Sequence, residues 1–175
     1  TITGPFNPDL SRHFHRILEL LRDDFTREVN VLKPVRDGGT LIGDIDFLAS
    51  SKHPGRVIEF FTGQPGVLSV SAKGDTKASV VLEGGIQADL RVVSDAEYPF
   101  ALAYFTGSKE HNIIMRQRAI ARGLRLNEYG LFKSKEETRD PQLLVECQTE
   151  EEIYAELGLT YVPPEMREDQ GEFSA

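Results

Sequence analysis

The run Gly43-Asp44-Ile45-Asp46-Phe47, answered further along by Gln87-Ala88-Asp89-Leu90-Arg91, decides how this chain is read. A strand points successive side chains to opposite faces, so Asp44 and Asp46 project to one side while Ile45 and Phe47 face the core. Asp89 has the matching parity in a second strand, where Leu90 and Val92 supply the buried face. Three carboxylates on one sheet face repel one another. The usual relief is a pair of hard divalent cations held through oxygen, with phosphate completing the shell. Magnesium is the natural candidate, and two such ions about 4 Å apart serve in-line phosphoryl transfer by activating an attacking hydroxyl and stabilising a departing pyrophosphate. Solvated acids at strand ends are the competing reading, because a lone Asp-x-Asp is short and common. The rest of the chain decides between them.

Downstream stand Tyr104-Phe105-Thr106-Gly107-Ser108-Lys109-Glu110-His111-Asn112, then Met115-Arg116, then Leu126-Asn127-Glu128-Tyr129-Gly130. Taken with the Gly43-Asp44-Ile45-Asp46 run, these motifs in this order resemble the family X DNA polymerases of the bacterial and archaeal type, and more distantly DNA polymerase beta. The resemblance runs from about Val31 to Glu172. It implies an α+β fold, with a nucleotidyltransferase palm over residues 1–105 (a mixed sheet with helices on one side) and a small α/β thumb lobe over 106–175.

By the same resemblance Asp44, Asp46 and Asp89 match catalytic metal ligands, and Asp89 the residue that helps deprotonate the primer's 3′ hydroxyl. Two Mg2+ ions are implied, for which Mn2+ can substitute. Arg36 matches an arginine on the incoming triphosphate, a role suited to a planar guanidinium. Gly43 and Gly107 fall within matched nucleotide-site motifs. Tyr104 and Phe105 match a pair packed on the nucleotide sugar, and Asn112 a minor-groove contact to the incoming base. Arg116 matches a template contact, Arg91 a neighbour of the carboxylates, and Asn127, Glu128 and Tyr129 a segment near the template. Each also has a plain structural reading. Tyr104 and Phe105 can be core at a helix end, Arg116 and Arg118 a solvated helix face, and Asn127 to Gly130 a turn.

The chain departs from the family pattern in one loop. Family members usually carry Gly-Ser three and two residues before the arginine matched by Arg36; here Lys33 and Pro34 stand there. Proline lacks an amide hydrogen and fixes its backbone angle, which removes a phosphate donor. Asp37 replaces a second basic residue that is common after that arginine. Two alternatives to a DNA polymerase core in short-gap repair stay in view, the first raised by this loop and the second by how widely the DxD-plus-D site is shared. One is a catalytically weakened DNA-binding module of the same fold. The other is a nucleotidyltransferase acting on a protein or small molecule, against which the Tyr104–Asn112 stretch argues.

A net charge of −8 sits awkwardly with nucleic acid, since phosphate contacts draw on clustered Lys and Arg. The distribution softens the objection, though affinity for DNA is still expected to be modest and steeply salt-dependent. Residues 1–103 hold 11 basic and 14 acidic side chains, 104–140 hold 8 and 5, and 141–175 hold 1 and 9. The one stretch with a basic excess is the segment that the resemblance sets beside gapped or primer-template DNA. The implied partners are that DNA, a deoxynucleoside triphosphate and other domains of a longer parent polymerase; Thr1 as first residue is consistent with an excised piece. Cys147 is the single cysteine, so an internal disulfide is excluded. No run approaches the ~20 apolar residues that span a bilayer, and no signal-peptide pattern opens the chain, so no membrane partner and a cytoplasmic location are expected.

Periodicity predicts a first helix from Asn7 or Asp9 to about Asp24, with His13 and His15 on its flanks. Strands are predicted over 28–32, 42–49, 67–72, 78–82 and 87–93, with a helix over 55–61. Helices at 96–104 and 108–121 follow, then a strand pair at 124–126 and 131–133. A final helix is capped by Thr149 and stopped by Gly158. The lobe boundary is drawn near Phe105 to Ser108.

Overall fold

The computed structural model describes residues 28–32, 36–37, 40–41, 45–168 and 171–173, the first three stretches through backbone pairing alone. The predicted first helix, Gly43 and Asp44, and the Lys33-Pro34 pair lie outside the described residues. Packing divides the chain into two compact units, 1–95 and 96–175. This division falls ten residues before the boundary drawn from sequence between 105 and 106.

The first unit is built on a five-stranded sheet in the order β1-β4-β7-β6-β5, with β1 Glu28–Leu32, β4 Ile45–Ser50, β5 Val67–Lys73, β6 Lys77–Leu82 and β7 Gln87–Val93. Two short strands, β2 Arg36–Asp37 and β3 Thr40–Leu41, pair separately. β4 and β7 run parallel, and the other ladders of the large sheet are antiparallel. Helix α1, Pro54–Thr62, lies against β5, β6 and β7. Proline suits its first turn, where an amide hydrogen would find no partner within the helix. Val57, Ile58 and Phe61 recur at helical spacing and are buried, meeting Phe47, Val80, Ala88, Leu90 and Val92 from the sheet. The Phe61 ring meets Phe47 edge-on at a centroid distance of 6.0 Å, a geometry worth about 0.5–1.5 kcal/mol beyond area burial.

The outer strand β5 is mostly exposed, whereas β6 and β7 alternate cleanly between buried and open positions. On β7, Ala88, Leu90 and Val92 are buried. The intervening residues Gln87, Asp89, Arg91 and Val93 therefore share the opposite face.

In the second unit, helices α2 (Tyr98–Thr106), α3 (Lys109–Ala121) and α4 (Glu150–Glu156) accompany a three-stranded sheet ordered β10-β9-β8. Its strands are β8 Arg125–Asn127, β9 Gly130–Phe132 and β10 Leu144–Val145. The core joins Phe100, Met115, Ala119, Leu131, Ile153, Tyr154 and Leu157, with Ala103 packed against it. Phe100 and Ala103 explain why α2 belongs here and does not close the first unit. Ser108 caps α3 by accepting from the His111 amide at 3.3 Å. Thr149 caps α4 in the same way, and Gly158 takes the positive φ of 67° that follows a helix end. Among the described residues, no helix is long and apolar enough to cross a membrane.

Candidate active site

In the first unit the parallel ladder sets Asp46 of β4 directly beside Asp89 of β7. Their sequence neighbours Ile45, Phe47, Ala88 and Leu90 are at most 2% exposed, so alternation turns both carboxylates away from the core. Adjacent strands in a sheet lie about 4.8 Å apart, which brings two anionic side chains within reach of one cation. Asp46 is exposed and Asp89 half-buried. The Gln87 side-chain amide donates toward both Asp89 oxygens, at 3.3 and 3.5 Å. Hard oxygen donors on a solvent-facing shelf fit a magnesium ion better than a zinc or copper ion, which favour nitrogen and sulfur. The described residues hold no cluster of three His, Cys, Asp or Glu side chains, and Asp44, the third proposed ligand, is outside them. Arg91 also lies on β7, in register with Leu48 and Lys77, and is half-buried. Arg36 pairs with Leu41 in the small β2–β3 ladder.

In the second unit, Tyr104, Asn112, Arg116 and Asn127 line one cleft together with His111 and Tyr154. Sequence reading had placed these four around nucleotide and template from separate motifs. α2 ends with the Tyr104 and Phe105 rings set edge-to-face at 5.0 Å, and Gly107 follows with a φ of 68° that favours glycine. The Asn112 side-chain amide donates to the Tyr104 carbonyl at 2.7 Å, tying α3 to the end of α2. Arg116, one turn on, is exposed. Asn127 shapes the β8–β9 turn: its Oδ1 accepts from the Tyr129 and Gly130 amides at 2.9 and 3.1 Å, and its Nδ2 donates to the Thr138 carbonyl at 3.2 Å. This is the turn role of an Asx residue. Tyr129 carries the Arg139 guanidinium 3.5 Å above its ring centroid, and Glu128 is half-buried. Phe105, Gly107, Glu128 and Tyr129 do not line the cleft.

Behind the cleft lies a buried polar cluster that sequence reading missed. His111 places Nε2 at 2.6 Å from the Tyr154 hydroxyl and Nδ1 at 2.9 Å from the Glu172 carboxylate. Arg167, 0% exposed, donates from Nη1 to Glu150 at 2.8 Å and from Nε to the Val162 carbonyl at 2.8 Å. Its Nη2 has no hydrogen-bond partner among the described residues, but its guanidinium faces the Tyr154 and Tyr161 rings. Burial works against the Arg167 charge; the hydrogen bond and charge of Glu150 outweigh it and hold the group above its ordinary value. Burial likewise pushes the Tyr154 hydroxyl well up, only partly opposed by Arg167, so it keeps its proton beside His111. The available signal was His111 itself, a polar residue on the stripe it shares with Met115 and Ala119.

Comparison with known proteins agrees with both units. Residues 101–168 match the DNA polymerase beta thumb family. The chain is 37% identical over 160 residues to the DNA polymerase/3′-5′ exonuclease PolX of Bacillus subtilis, covering 87% of this chain and 27% of that protein. It is 34% identical over 102 residues to the repair DNA polymerase X of African swine fever virus, covering 57% of this chain and 56% of the viral protein. It thus spans about a quarter of the first relative and just over half of the second. The fold superposes on polymerase beta of Leishmania infantum, solved as a ternary P/T complex, with a TM-score of 0.71 at 26% identity, over 91% of this chain and 75% of that one. An Asp46–Asp89 shelf on a mixed sheet, a thumb matched by sequence and a polymerase beta-like fold agree, and the chain is a relative of the family X DNA polymerases, distantly similar to DNA polymerase beta.

Proposed function

We propose that this chain is the palm and thumb core of a DNA-directed DNA polymerase, with palm and thumb corresponding to its first and second units. It adds a deoxynucleotide to a primer 3′ hydroxyl at short gaps, in the cytoplasm and within a longer parent polymerase. The observation that carries the reading is the Asp46–Asp89 register on the open face of the sheet. Asp44, Asp46 and Asp89 hold Mg2+, which when bound supplies Lewis-acid activation of the attacking hydroxyl and charge neutralisation on the departing pyrophosphate. Asp89 accepts the proton of the primer hydroxyl, with the Gln87 amide orienting its carboxylate. Arg36 binds the triphosphate. In the second unit Tyr104 and Phe105 pack on the nucleotide sugar, Gly107 lets the chain turn between them and α3, and Asn112 reads the base edge. Arg116 and the Asn127-Glu128-Tyr129 turn contact the template, while Arg91 stands beside the carboxylates.

Extension of one-nucleotide-gapped DNA with Mg2+ or Mn2+ at low salt tests this, with Asp89→Asn run beside the parent chain. Extension by the parent alone supports the assignment, and equal activity in both removes it. The Lys33-Pro34 loop and Asp37 favour a second reading, a DNA-binding module with weakened transfer. It predicts that both proteins bind gapped DNA and that neither extends it.

A further inference from the structure

Several contacts converge on the first turn of α3. The Ser108 hydroxyl caps the helix, and the Ser108 amide donates to the Arg167 carbonyl at 3.0 Å. Arg167 is itself fixed to Glu150 and Val162. On the next residues, the His111 imidazole stacks on Phe173 with ring centroids 4.6 Å apart and a 28° interplanar angle, and it pairs with Glu172. The His111 and Glu172 side chains are 2% and 3% exposed. Nine acidic residues lie between 141 and 175, and Glu172 is one that turns inward to a cationic or hydrogen-donating partner. A carboxylate only accepts, so Nδ1 carries the shared proton and Tyr154 can satisfy Nε2 in either charge state.

Buried ion pairs are weak sources of net stability, because desolvation cancels much of the attraction; they are better at fixing one arrangement among several. The arrangement fixed here is functional. His111 and Asn112 are consecutive, Asn112 is bonded to the Tyr104 carbonyl, and Tyr104, His111, Asn112 and Arg116 all line the cleft. We propose that Glu172 is a positioning residue for the incoming nucleotide: through His111, and with Phe173 behind the ring, it sets the first turn of α3 and so the placement of Asn112 and Tyr104. This rests on the polymerase reading, but its first readout does not require turnover.

The test is backbone hydrogen exchange on the full chain, followed by single-nucleotide extension, for Glu172→Ala, Glu172→Gln and Phe173→Ala. Glu172→Ala is expected to speed exchange at Ser108, His111 and Asn112 about tenfold, while the amides of the β8–β9 ladder keep their protection. The KM for nucleotide should rise about tenfold with kcat within about threefold, the sign of lost binding and not of lost chemistry. Glutamine retains an acceptor oxygen and should restore most of the effect. Phe173→Ala should act in the same direction with the carboxylate intact. Unchanged exchange at those three amides overturns the proposal. So does equal loosening of the whole second unit in both alanine variants, which would make the pair a general stabiliser. If the parent chain extends no primer, the polymerase reading fails and the nucleotide-positioning role falls with it, while the exchange result separately decides whether Glu172 sets the first turn of α3.

Discussion

The two units treat charge in opposite ways. In the first, Asp46 and Asp89 stand side by side on the open face of a sheet, like charges that the fold brings together. In the second, His111, Glu150, Arg167 and Glu172 are drawn inside and matched within the chain at 2.8 to 2.9 Å. Like charges held together at a surface ask for a ligand. Charges sealed in a core with their hydrogen-bond partners settle a conformation. The contrast separates residues whose loss should remove chemistry from those whose loss should remove structure.

The sharpest break would come at the open shelf. Asp89→Asn should lower primer extension by at least ~10³-fold while leaving the dissociation constant for gapped DNA within about twofold. Fluorescence anisotropy beside the extension assay reads both quantities. Next in size is the sealed cluster. Arg167→Met strands Glu150 in the core and should cost about 3–5 kcal/mol in urea unfolding, whereas Asp46→Asn should stay within ~0.5 kcal/mol of the parent or rise above it. Similar losses from the two substitutions would erase the contrast.

Cys147 extends the comparison to a neutral group. Burial pushes its thiol up to about 11 from 9.0, with Glu156 and Glu152 adding in the same direction. At pH 8 the folded chain should therefore alkylate about 100-fold more slowly than the unfolded chain, each pKa unit being tenfold in thiolate. Because the folded value is the higher one, this contribution to stability is complete below pH 9 and declines as pH rises toward 11. Iodoacetamide labelling with and without urea measures the ratio. The smallest expected change is a few-fold gain in nucleotide affinity when Lys33 and Pro34 become Gly and Ser, which restores one backbone phosphate donor. No gain would mean that this loop does not limit binding.

Local pattern carried much of the fold. β1 and β7 form over the predicted residues, and α3 runs from Lys109, one residue after the predicted start at 108, to the predicted end at 121. Periodicity and capping act within a few residues, so they are visible in one dimension. β10 was missed because two residues, Leu144 and Val145, are too few to show alternation. The sequence boundary near residue 105 and the packing division after residue 95 differ by α2, which is apolar around its circumference, and sequence does not say which core Phe100 and Ala103 join. The same limit applies to the site. The parity of Asp46 and Asp89 was legible, since strand alternation is local. Convergence of Tyr104, Asn112, Arg116 and Asn127 on one cleft was expected only through resemblance. The His111–Glu172 pair spans 61 residues and has no local signature at all.

The place of β7 in the large sheet has a further consequence. It is the last of these five strands in the chain, yet it sits between β4 and β6 and, among the described residues, is the strand that joins them. Among the described residues, the β1–β4 ribbon and the β5–β6 hairpin share no ladder until it inserts. The segment that delivers Asp89 is thus also the one that closes the sheet, at the cost of ordering the long excursion from Ser51 through Ile86. The carboxylate pair therefore comes into being together with the completed sheet, and affinity for a divalent cation would report on whether the first unit has finished folding.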